Sequence, residues 1–338
     1  MSVRITSDLY EIPKKLVSKY YYKVPLHDPY LWLRLSRRSD MQFAIIEDDY
    51  EATFTLFKLH HNRPYAECVI LGSPFVGEVG NLSVTLFREN LDALSSALHK
   101  PLYFPLVYTG DPAEVMLSKV GAAYWKRLPS PIITAKSLSK GLVERATERI
   151  GSRARRRIRR FQNSNAEVTQ MTKNDSMLCI EYIEKNSWKA ELNQDMFSRD
   201  QADIYGALAE SPNAIIRVAT LEGTPISYRF DYRIDSIVYA LKWSFSEKHR
   251  RLSPGFYLLT QDLSDCWCDK NIDYIDLYGS SDSLKVTICD IGHDRSRIDF
   301  AWPSHVQDLQ DLRSERLEHD KRLIANAWSG HGTRQLYQ

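Results

Sequence analysis

Three β-type runs follow one another with almost no chain between them, and this pattern restricts the fold more than any other feature. The runs are NAIIRVATL, ending at Leu221, TPISYRFDYRI, ending at Ile234, and SIVYALKWSF, ending at Phe245. Glu222–Gly223 and Asp235–Ser236 stand at the two junctions. Because connections this short join antiparallel neighbours, the sequence predicts a two-turn antiparallel meander.

A helix and a further strand are predicted after the meander. The stretch HRRLSPGFYLL, residues 249–259, places Ser253 where it can cap a helix and Pro254 in the first turn. The apolar face of this helix consists of Phe256, Leu259, Leu263 and Cys266. DYIDLYG, residues 273–279, predicts a strand, so one strand–helix–strand connection joins the meander.

Helices are predicted before the meander. Residues 139–163 have a helical pattern that breaks at Gly151, and residues 175–188 form a second helix with Asp175 as its N-cap. Helices, a meander, a helix and a strand in this order predict an α+β fold.

The prolines and small polar residues of Lys126–Gly141 indicate a linker or domain edge, since proline cannot continue a helix. We therefore divide the chain into residues 1–129, residues 130–303, and a C-terminal helix and tail over residues 304–338. Several elements are predicted outside the second domain: a helix over 28–36, a hairpin over 41–59 turning at 47–49, strands over 65–71 and 101–108, a helix over 90–100 and a polar helix over 304–328.

Composition excludes several classes of protein. Hydrophobic residues make up 43% and charged residues 26% of the 338 residues, the balance of a globular protein. No run approaches the ~20 apolar residues of a membrane span, and the N-terminal stretch lacks the apolar core of a secretory signal. Five cysteines without framework spacing argue against a disulfide scaffold. We expect a cytoplasmic protein.

Two interpretations of the helix start at Ser253 remain open. One is an ordinary helix N-terminus, which accounts for Ser253 and Pro254. The other is a phosphate site, because a helix N-terminus attracts anions, Gly255 lets a ligand approach the backbone, and Arg250 and Arg251 add positive charge. The arginines favour an anion there, since like charge at this end of a helix is unfavourable.

A block of arginine is equally open to two interpretations. RARRRIRR, residues 153–160, contains six arginines in eight residues. Such a block is typical of a solvated helix face, but arginine also binds phosphate with two parallel hydrogen bonds. Arg153, Arg156, Arg157 and Arg160 share one face of a helix and Arg155 and Arg159 another, so the pattern has elements of both a one-sided stripe and a ring.

Several of these motifs, in this order, resemble the CelD-like acetyltransferase domains of the GNAT superfamily. They are RRRIRR, then Trp188, the meander, RRLSPGFYLL and DLYGSSDSLK, and they cover residues 130–302. The resemblance implies a mixed, mostly antiparallel sheet flanked by helices. The Fem-type aminoacyltransferases look like the same architecture with two GNAT-like halves in tandem, so residues 1–129 are interpreted as a degenerate first half.

The resemblance implies acyl transfer and assigns roles to residues. In GNAT folds the last meander strand and the next helix hold the pyrophosphate of an acyl-CoA. Carried over, this assigns Arg250, Arg251, Ser253, Gly255 and Phe256 to donor binding, although GNAT phosphate loops usually carry more glycines than this one. In Fem-type enzymes, where aminoacyl-tRNA is the donor, a lysine after the D-x-x-G strand stabilises the transition state, and Lys285 falls in its place.

The candidate catalytic residues each have a structural alternative. Acyl transfer needs an oxyanion donor and a proton acceptor. Lys285 can donate to the oxyanion, or it is a surface lysine after a loop. Asp276 can position or deprotonate an amine, or it caps the turn at Gly279. Tyr257 can protonate a leaving thiolate, or it is a core or groove residue.

Candidate substrate contacts complete the site. Tyr228 and Asp231 lie on the middle strand of the meander, and one face of that strand must meet a cleft or solvent. Trp188 packs under the sheet, or borders the acceptor cleft as in the resembling family. Arg156 and Arg157 of the arginine helix are also candidate substrate contacts.

A zinc site is not predicted. Cys266 and Cys268 lie about 200° apart on a helix, so these two cannot both face the metal that Cys289 and His293 would also bind. Walker and Rossmann glycine patterns are absent from the sequence.

The sequence thus predicts an N-acyltransferase with an acyl-CoA co-substrate and an amine acceptor belonging to a small molecule or a cell-envelope precursor. Two alternatives stay open. One is a Fem-like enzyme that takes its donor from aminoacyl-tRNA, and the other is a GNAT-like protein that binds without catalysis. No permanently bound cofactor, no metal and no membrane span are expected, and oligomeric state is left unassigned.

Overall fold

The computed structural model describes residues 2–8, 11, 41–47, 52–59, 65–68, 83–109, 112–129, 131–134, 141–198, 201–266, 271–278, 285, 288–290 and 296–302. The chain divides into two compact units. The first comprises Met1–Pro129 with Asp294–Gln338, and the second comprises Ser130–His293. The helices predicted over residues 28–36 and 304–328 lie outside the described residues.

The described strands of the first unit form one sheet. They are β1 (Ser2–Thr6), β2 (Met41–Glu47), β3 (Ala52–Leu59), β4 (Ala66–Cys68), β5 (Leu102–Tyr108), β6 (Ala123–Pro129) and β13 (Ser296–Trp302), in the order β1-β2-β3-β4-β5-β13-β6. The predicted hairpin of β2 and β3 is present. Pro129, which the sequence analysis placed in a linker, ends β6 and pairs with Ser296.

Helices α1 (Val84–Leu98) and α2 (Pro112–Lys119) belong to the first unit. α1 begins six residues earlier than the predicted Asn90, because the Ser83 side chain accepts a hydrogen bond from the Leu86 N–H and caps the helix there. Its apolar stripe of Phe87, Leu91 and Leu94 is fully buried in the core of this unit.

The described strands of the second unit form another sheet. They are β7 (Ile132–Thr134), β8 (Ala166–Met171), β9 (Ala214–Leu221), β10 (Thr224–Ile234), β11 (Ile237–Phe245) and β12 (Tyr274–Asp276), in the order β7-β12-β11-β10-β9-β8. The predicted meander is confirmed, with its strands ending at Leu221, Ile234 and Phe245. β12 is parallel to β11, as a strand–helix–strand connection requires.

Helices of the second unit precede and follow the meander. They are α3 (Leu142–Ile150), α4 (Arg153–Gln162), α5 (Lys173–Lys185), α6 (Trp188–Glu191), α7 (Ala202–Ala209), α8 (Pro254–Tyr257) and α9 (Leu263–Cys266), with a π-helical turn over Leu258–Asp262 between the last two. The predicted break at Gly151 is confirmed. The predicted N-cap Asp175 is wrong by three residues, since Thr172 is the N-cap and Asp175 lies in the first turn.

The two units repeat one topology. β1 to β4 and β8 to β11 are each four antiparallel neighbours in chain order, and in each unit a helix leads to a strand parallel to the fourth. β13 lies between β5 and β6 in the first sheet, whereas the sequence analysis placed residues 296–302 in the second domain. The reason is that β13 pairs with strands far away in the sequence, which no local pattern encodes.

Within the described residues, no helix has both the length and the apolar character needed to cross a bilayer.

Candidate active site

Within the described residues, no strand pairs with the second half of β11 on its β12 side, and we call this side the open edge of β11. β12 pairs with residues 237–239 of β11 through residues 274–276, and within the described residues this pairing stops at Tyr239 while β11 continues to Phe245. On its other side, Phe230 of β10 pairs with Lys242 and Asp231 pairs with Ala240, so Leu241 is the extra residue of a bulge. Among the residues that the structure describes, the backbone of β11 beyond Tyr239 therefore has no strand partner on this side, and an extended ligand can pair with it.

Lys285 lies beside this open edge. It is 7% exposed, and its Nζ donates to the carbonyl oxygen of Tyr278 at 2.5 Å and lies 5.0 Å from the ring centroid of Trp243. Trp243 is half-buried in the open part of β11. The structure thus places the predicted oxyanion donor beside Trp243 of β11, as a buried side chain rather than a surface lysine.

Asp276 organises the turn that holds Lys285. It is fully buried at the end of β12, and its Oδ1 accepts a hydrogen bond from the N–H of Tyr278 at 2.8 Å. Tyr278 itself has a left-handed backbone with φ of 43°. This bond is of the turn-capping kind considered for Asp276, and it fixes the N–H of the residue whose carbonyl oxygen accepts from Lys285.

The predicted helix start follows β11 through a 3₁₀ turn. Glu247–Leu252 form the turn, Ser253 adopts a left-handed backbone with φ of 54°, and α8 begins at Pro254. The Ser253 side chain makes no capping hydrogen bond, which differs from the predicted role of this serine. The hydroxyl is therefore not committed to closing the first turn of the helix.

Gly255 has a packing role that the sequence analysis did not foresee. A Cβ at this position would lie 2.9 Å from Cδ1 of Phe245. The glycine is therefore required by the close approach of α8 to the end of β11, rather than by access of a ligand to its backbone.

The arginine helix α4 packs beside the start of α8. The Arg157 guanidinium lies 5.3 Å from the ring centroid of Phe256, and Arg160 Nη1 donates to the carbonyl oxygen of Arg251 at 2.8 Å. Arg250 is half-buried, with its Nη1 3.8 Å from Glu247 Oε2, and Arg251 is exposed. Four of the predicted or neighbouring arginines thus converge on one helix start, which gives this region the positive charge an anion requires.

The rest of α4 has an apolar face and an exposed face. Ala154, Ile158 and Phe161 are buried, and Arg157 is half-buried on the same side. The exposed arginines are Arg153, Arg155, Arg156, Arg159 and Arg160. Arg156 therefore faces solvent while Arg157 faces α8, which separates two residues that helical spacing placed together.

Tyr257 lies at the junction of α8 and α4. Its ring is half-buried and stacks on Phe161, with ring centroids 4.1 Å apart. The structure thus gives Tyr257 the groove-wall role considered as the alternative to proton donation.

The opposite face of the meander carries a buried carboxylate. Glu184 of α5 accepts hydrogen bonds from the Tyr228 hydroxyl and the Met196 N–H, both at 2.7 Å. Lys189 Nζ lies 3.5 Å and Lys242 Nζ 3.7 Å from its oxygens. Burial raises the pKa of Glu184, but the two ammonium groups and the two hydrogen bonds outweigh it, so its pKa lies below the ordinary value.

Aromatic side chains surround this carboxylate cluster. Lys242 Nζ lies 5.2 Å from the ring centroid of Tyr205 and donates to Gln201 Oε1 at 3.2 Å. Burial, together with the nearby Tyr278 and Glu184, raises the pKa of Tyr205 well above its usual range. Tyr205 is therefore harder to ionise than an ordinary tyrosine, and its hydroxyl can donate a hydrogen bond.

The predicted substrate contacts Tyr228 and Asp231 are both fully buried, on opposite faces of β10. The Tyr228 hydroxyl donates to Glu184. Burial is the main cause that raises the pKa of Tyr228, and Glu184 raises it further. Asp231 Oδ2 accepts from Arg229 Nε at 2.6 Å. These interactions give both residues a role inside the fold instead of at a cleft surface.

Arg229 links the sheet to the helix that follows it. Its Nη1 donates to the carbonyl oxygen of Leu258 and lies 3.1 Å from Asp262 Oδ2, both in the π-helical turn. Trp188, the last predicted substrate contact, is half-buried as the first residue of α6, next to Lys189.

Sequence reasoning missed Glu184, Lys189, Lys242 and Tyr205. One signal was present: Glu184 follows Ile180 and Ile183, which are fully buried, so a carboxylate stands on the apolar face of α5. Lys242 likewise interrupts the apolar run of β11. Of the residues weighed for zinc, Cys268 and His293 lie outside the described residues.

The chain is similar to proteins of known family and structure. Residues 152–286 match the family model described as an acetyltransferase (GNAT) domain. A conserved protein of unknown function from Bacteroides thetaiotaomicron is 12% identical, with 88% of this chain and 99% of that chain covered and a TM-score of 0.59. No curated protein matches the chain in sequence.

Two further structures share the fold. FemX is 13% identical, with 89% of this chain and 97% of that chain covered and a TM-score of 0.53. The C-terminal domain of a putative lysylphosphatidylglycerol synthetase from Agrobacterium fabrum is 10% identical, with 90% of this chain and 96% of that chain covered and a TM-score of 0.57. At these identities the similarity concerns the fold of the chain.

Proposed function

We propose that this chain, whose residues 152–286 form a domain of the GNAT acetyltransferase family, is an N-acyltransferase that moves an acyl group from an acyl-CoA to an amine. The observation that carries the proposal is the buried Lys285 beside the open edge of β11, inside the domain that matches the family. The carbonyl oxygen of a thioester paired with β11 would develop its negative charge at this edge. A cation there would stabilise that charge.

The reaction forms one bond and breaks one. The amine nitrogen attacks the thioester carbonyl carbon, and a tetrahedral oxyanion forms. Lys285 Nζ, held by the Tyr278 carbonyl, donates a hydrogen bond to this oxygen and stabilises its charge. The C–S bond then breaks, the sulfur leaves as a thiolate that takes up a proton, and the nitrogen loses one to solvent.

The start of α8 supports binding of the donor. The phosphates of CoA need positive charge and free N–H groups, and Arg250, Arg251 and Arg157 lie around this helix end. We assign Arg250, Arg251 and Ser253 to the donor phosphates, and we assign the ring of Phe256 to orienting Arg157.

The test is a pair of measurements on the full chain. Acetyl-CoA should raise the melting temperature, and an amine panel should release free CoA thiol at a rate above the hydrolysis seen without amine. A melting temperature unchanged by acetyl-CoA, together with no amine-dependent thiol release, would reject the proposal.

A second candidate uses aminoacyl-tRNA as the donor. It is favoured by the five exposed arginines of α4, since a tRNA contacts a protein through many phosphates. The fold shared with FemX is consistent with it. Charged tRNA in place of acetyl-CoA should then raise the melting temperature and act as the donor.

A further inference from the structure

Glu184 is shared by two lysines beside the proposed transfer site, and we propose that Lys189 and Lys242 bind an acidic group, a carboxylate or phosphate, carried by the acceptor. The inference rests on the proposed function in one respect, that the molecule bound here is the amine acceptor. It adds the chemical class of that acceptor, an amine with an acidic group elsewhere in the molecule.

The charges of the cluster favour an anion. Two ammonium groups lie within 4.0 Å of one carboxylate, so the three side chains carry a net charge of one positive. The side chains of Lys189 and Lys242 are 18% and 11% exposed, and lysines are seldom buried this far without a reason in the site. An anion beside them recovers energy that burial costs.

Glu184 positions the two lysines and is itself held in place. Its oxygens also accept from Tyr228 and Met196, which fixes the carboxylate. Lys189 donates to the Trp243 carbonyl at 2.7 Å, so its ammonium group lies against the open part of β11. A carboxylate or phosphate bound beside the two ammonium groups interacts favourably with both charges.

A buried hydroxyl on the same face adds an independent observation. Ser244 is 2% exposed, and its Oγ has no hydrogen-bond partner within the described residues. It follows Lys242 by two residues and pairs across the sheet with Tyr228, so it shares the face that carries Glu184. Buried hydroxyls are normally hydrogen-bonded, and an oxygen of an acidic group would satisfy this one.

The location fits an acceptor instead of a donor. Lys242 and Trp243 point to opposite faces of β11, because successive side chains alternate along a strand. Trp243 packs against the core cluster that includes Phe256 and Leu259, on the side of α8, whereas Lys242 faces Glu184 of α5. An acceptor bound at the lysines therefore reaches the edge near Lys285 from the side away from the donor phosphates.

The test compares matched acceptors that differ in one acidic group. Phosphoethanolamine is compared with ethanolamine, and β-alanine with its amide, using the full chain. Binding is measured by calorimetry, and thiol release from acetyl-CoA is measured in parallel. We expect the acidic member of each pair to bind about tenfold more tightly, because each charge-assisted hydrogen bond contributes appreciably.

Variants separate a binding role from an ion pair that only holds α5 to β11. Lys242→Gln and Lys189→Gln should each reduce the preference for the acidic member to about one- to threefold and leave binding of the neutral member unchanged. Lys185→Gln is the control, since Lys185 is exposed and pairs with Glu181. Melting temperatures show that each variant is folded.

The outcomes distinguish this inference from the proposed function. Equal binding of acidic and neutral members, or a preference that survives in both folded lysine variants, overturns the inference, even if amine-dependent thiol release occurs. A preference lost in the lysine variants without any thiol release supports the anion site and counts against acyl transfer from acetyl-CoA.

Discussion

The ring of Phe245 packs so closely against Gly255 that a Cβ on this glycine would lie 2.9 Å from Cδ1 of the ring. The end of β11 and the first turn of α8 are therefore in close van der Waals contact. This contact sets where the helix starts relative to the open edge of β11.

Gly255→Ala should therefore destabilise the protein by about 1–3 kcal/mol, the usual cost of forcing a methyl group into a packed contact. Urea unfolding measures the change. Gly206→Ala is the control, since nothing lies within 4 Å of a Cβ at that helical position and the variant should be as stable as the parent or slightly more so. The cost should shrink in a Phe245→Ala background, and an equal cost there would contradict the contact.

Lys285→Met should lower kcat for acyl transfer by about 10²–10³-fold, the loss typical of one oxyanion donor. The affinity for acetyl-CoA should change little, because the ammonium group acts on charge that develops during the reaction. Steady-state rates and calorimetry measure the two quantities. A rise in KM at unchanged kcat would instead assign Lys285 to substrate binding.

Arg250→Ala combined with Arg251→Ala should weaken acetyl-CoA binding by about 2–4 kcal/mol if both contact phosphate, since hydrogen bonds to charged groups contribute about 1.5–3 kcal/mol each before coupling. Arg233→Ala, near the end of β10 beside the Asp235 turn, is the control. Calorimetry measures the affinity. Wild-type affinity in the folded double variant would show that these arginines lie on an ordinary solvated surface and do not contact phosphate.

The salt dependence of donor binding distinguishes the two donors, and the exposed arginines of α4 provide the test. Replacing Arg153, Arg156 and Arg159 with glutamine removes exposed charges and spares Arg157, which packs on Phe256. For an acyl-CoA enzyme, the salt dependence of donor binding should stay shallow and unchanged. For a tRNA-dependent enzyme, the slope against log salt should flatten by about one unit for each lost contact.

Glu184 should make the stability of the protein depend on acid. Because its pKa is lower in the folded chain than in the unfolded one, its stabilising contribution is present above the ordinary glutamate pKa of about 4.3 and is lost as pH falls through the folded pKa. Glu184→Gln should cost about 3–5 kcal/mol at pH 7, where it leaves Lys189 and Lys242 without this carboxylate. Urea unfolding at pH 7 and pH 3 should show that cost shrinking in acid, and a cost independent of pH would contradict the assignment.

The sequence was most informative where structure is local. Two-residue turns specified the meander, and Gly151 marked the break between α3 and α4, because turn and cap chemistry depend on a few neighbouring residues. β8 was missed because it is a short strand at the edge of its sheet: its six side chains are partly buried or exposed, and the alternating Ala166 and Val168, which pack on a core cluster, give only a short apolar signal.

The candidate site was predictable only in part. Lys285 and the arginines near α8 stood in recognisable motifs. The Glu184 cluster did not, because its members come from α5, α6, α7 and β11 and meet only in the folded chain. The same limit applies to Asp231. Its partner Arg229 also donates to the carbonyl oxygen of Leu258 in the π-helical turn, so this polar strand residue is buried in the interior.

The position of β13 in the first sheet has a consequence for biosynthesis. β13 separates β5 from β6, so a ribosome must reach residue 302 before the first sheet can close. The described strands of the second sheet are all synthesised by residue 276. The described strands of the second sheet are therefore all made before β13, which joins β6 to the rest of the first sheet, so the first sheet can be completed only after them, the reverse of the usual N-to-C order.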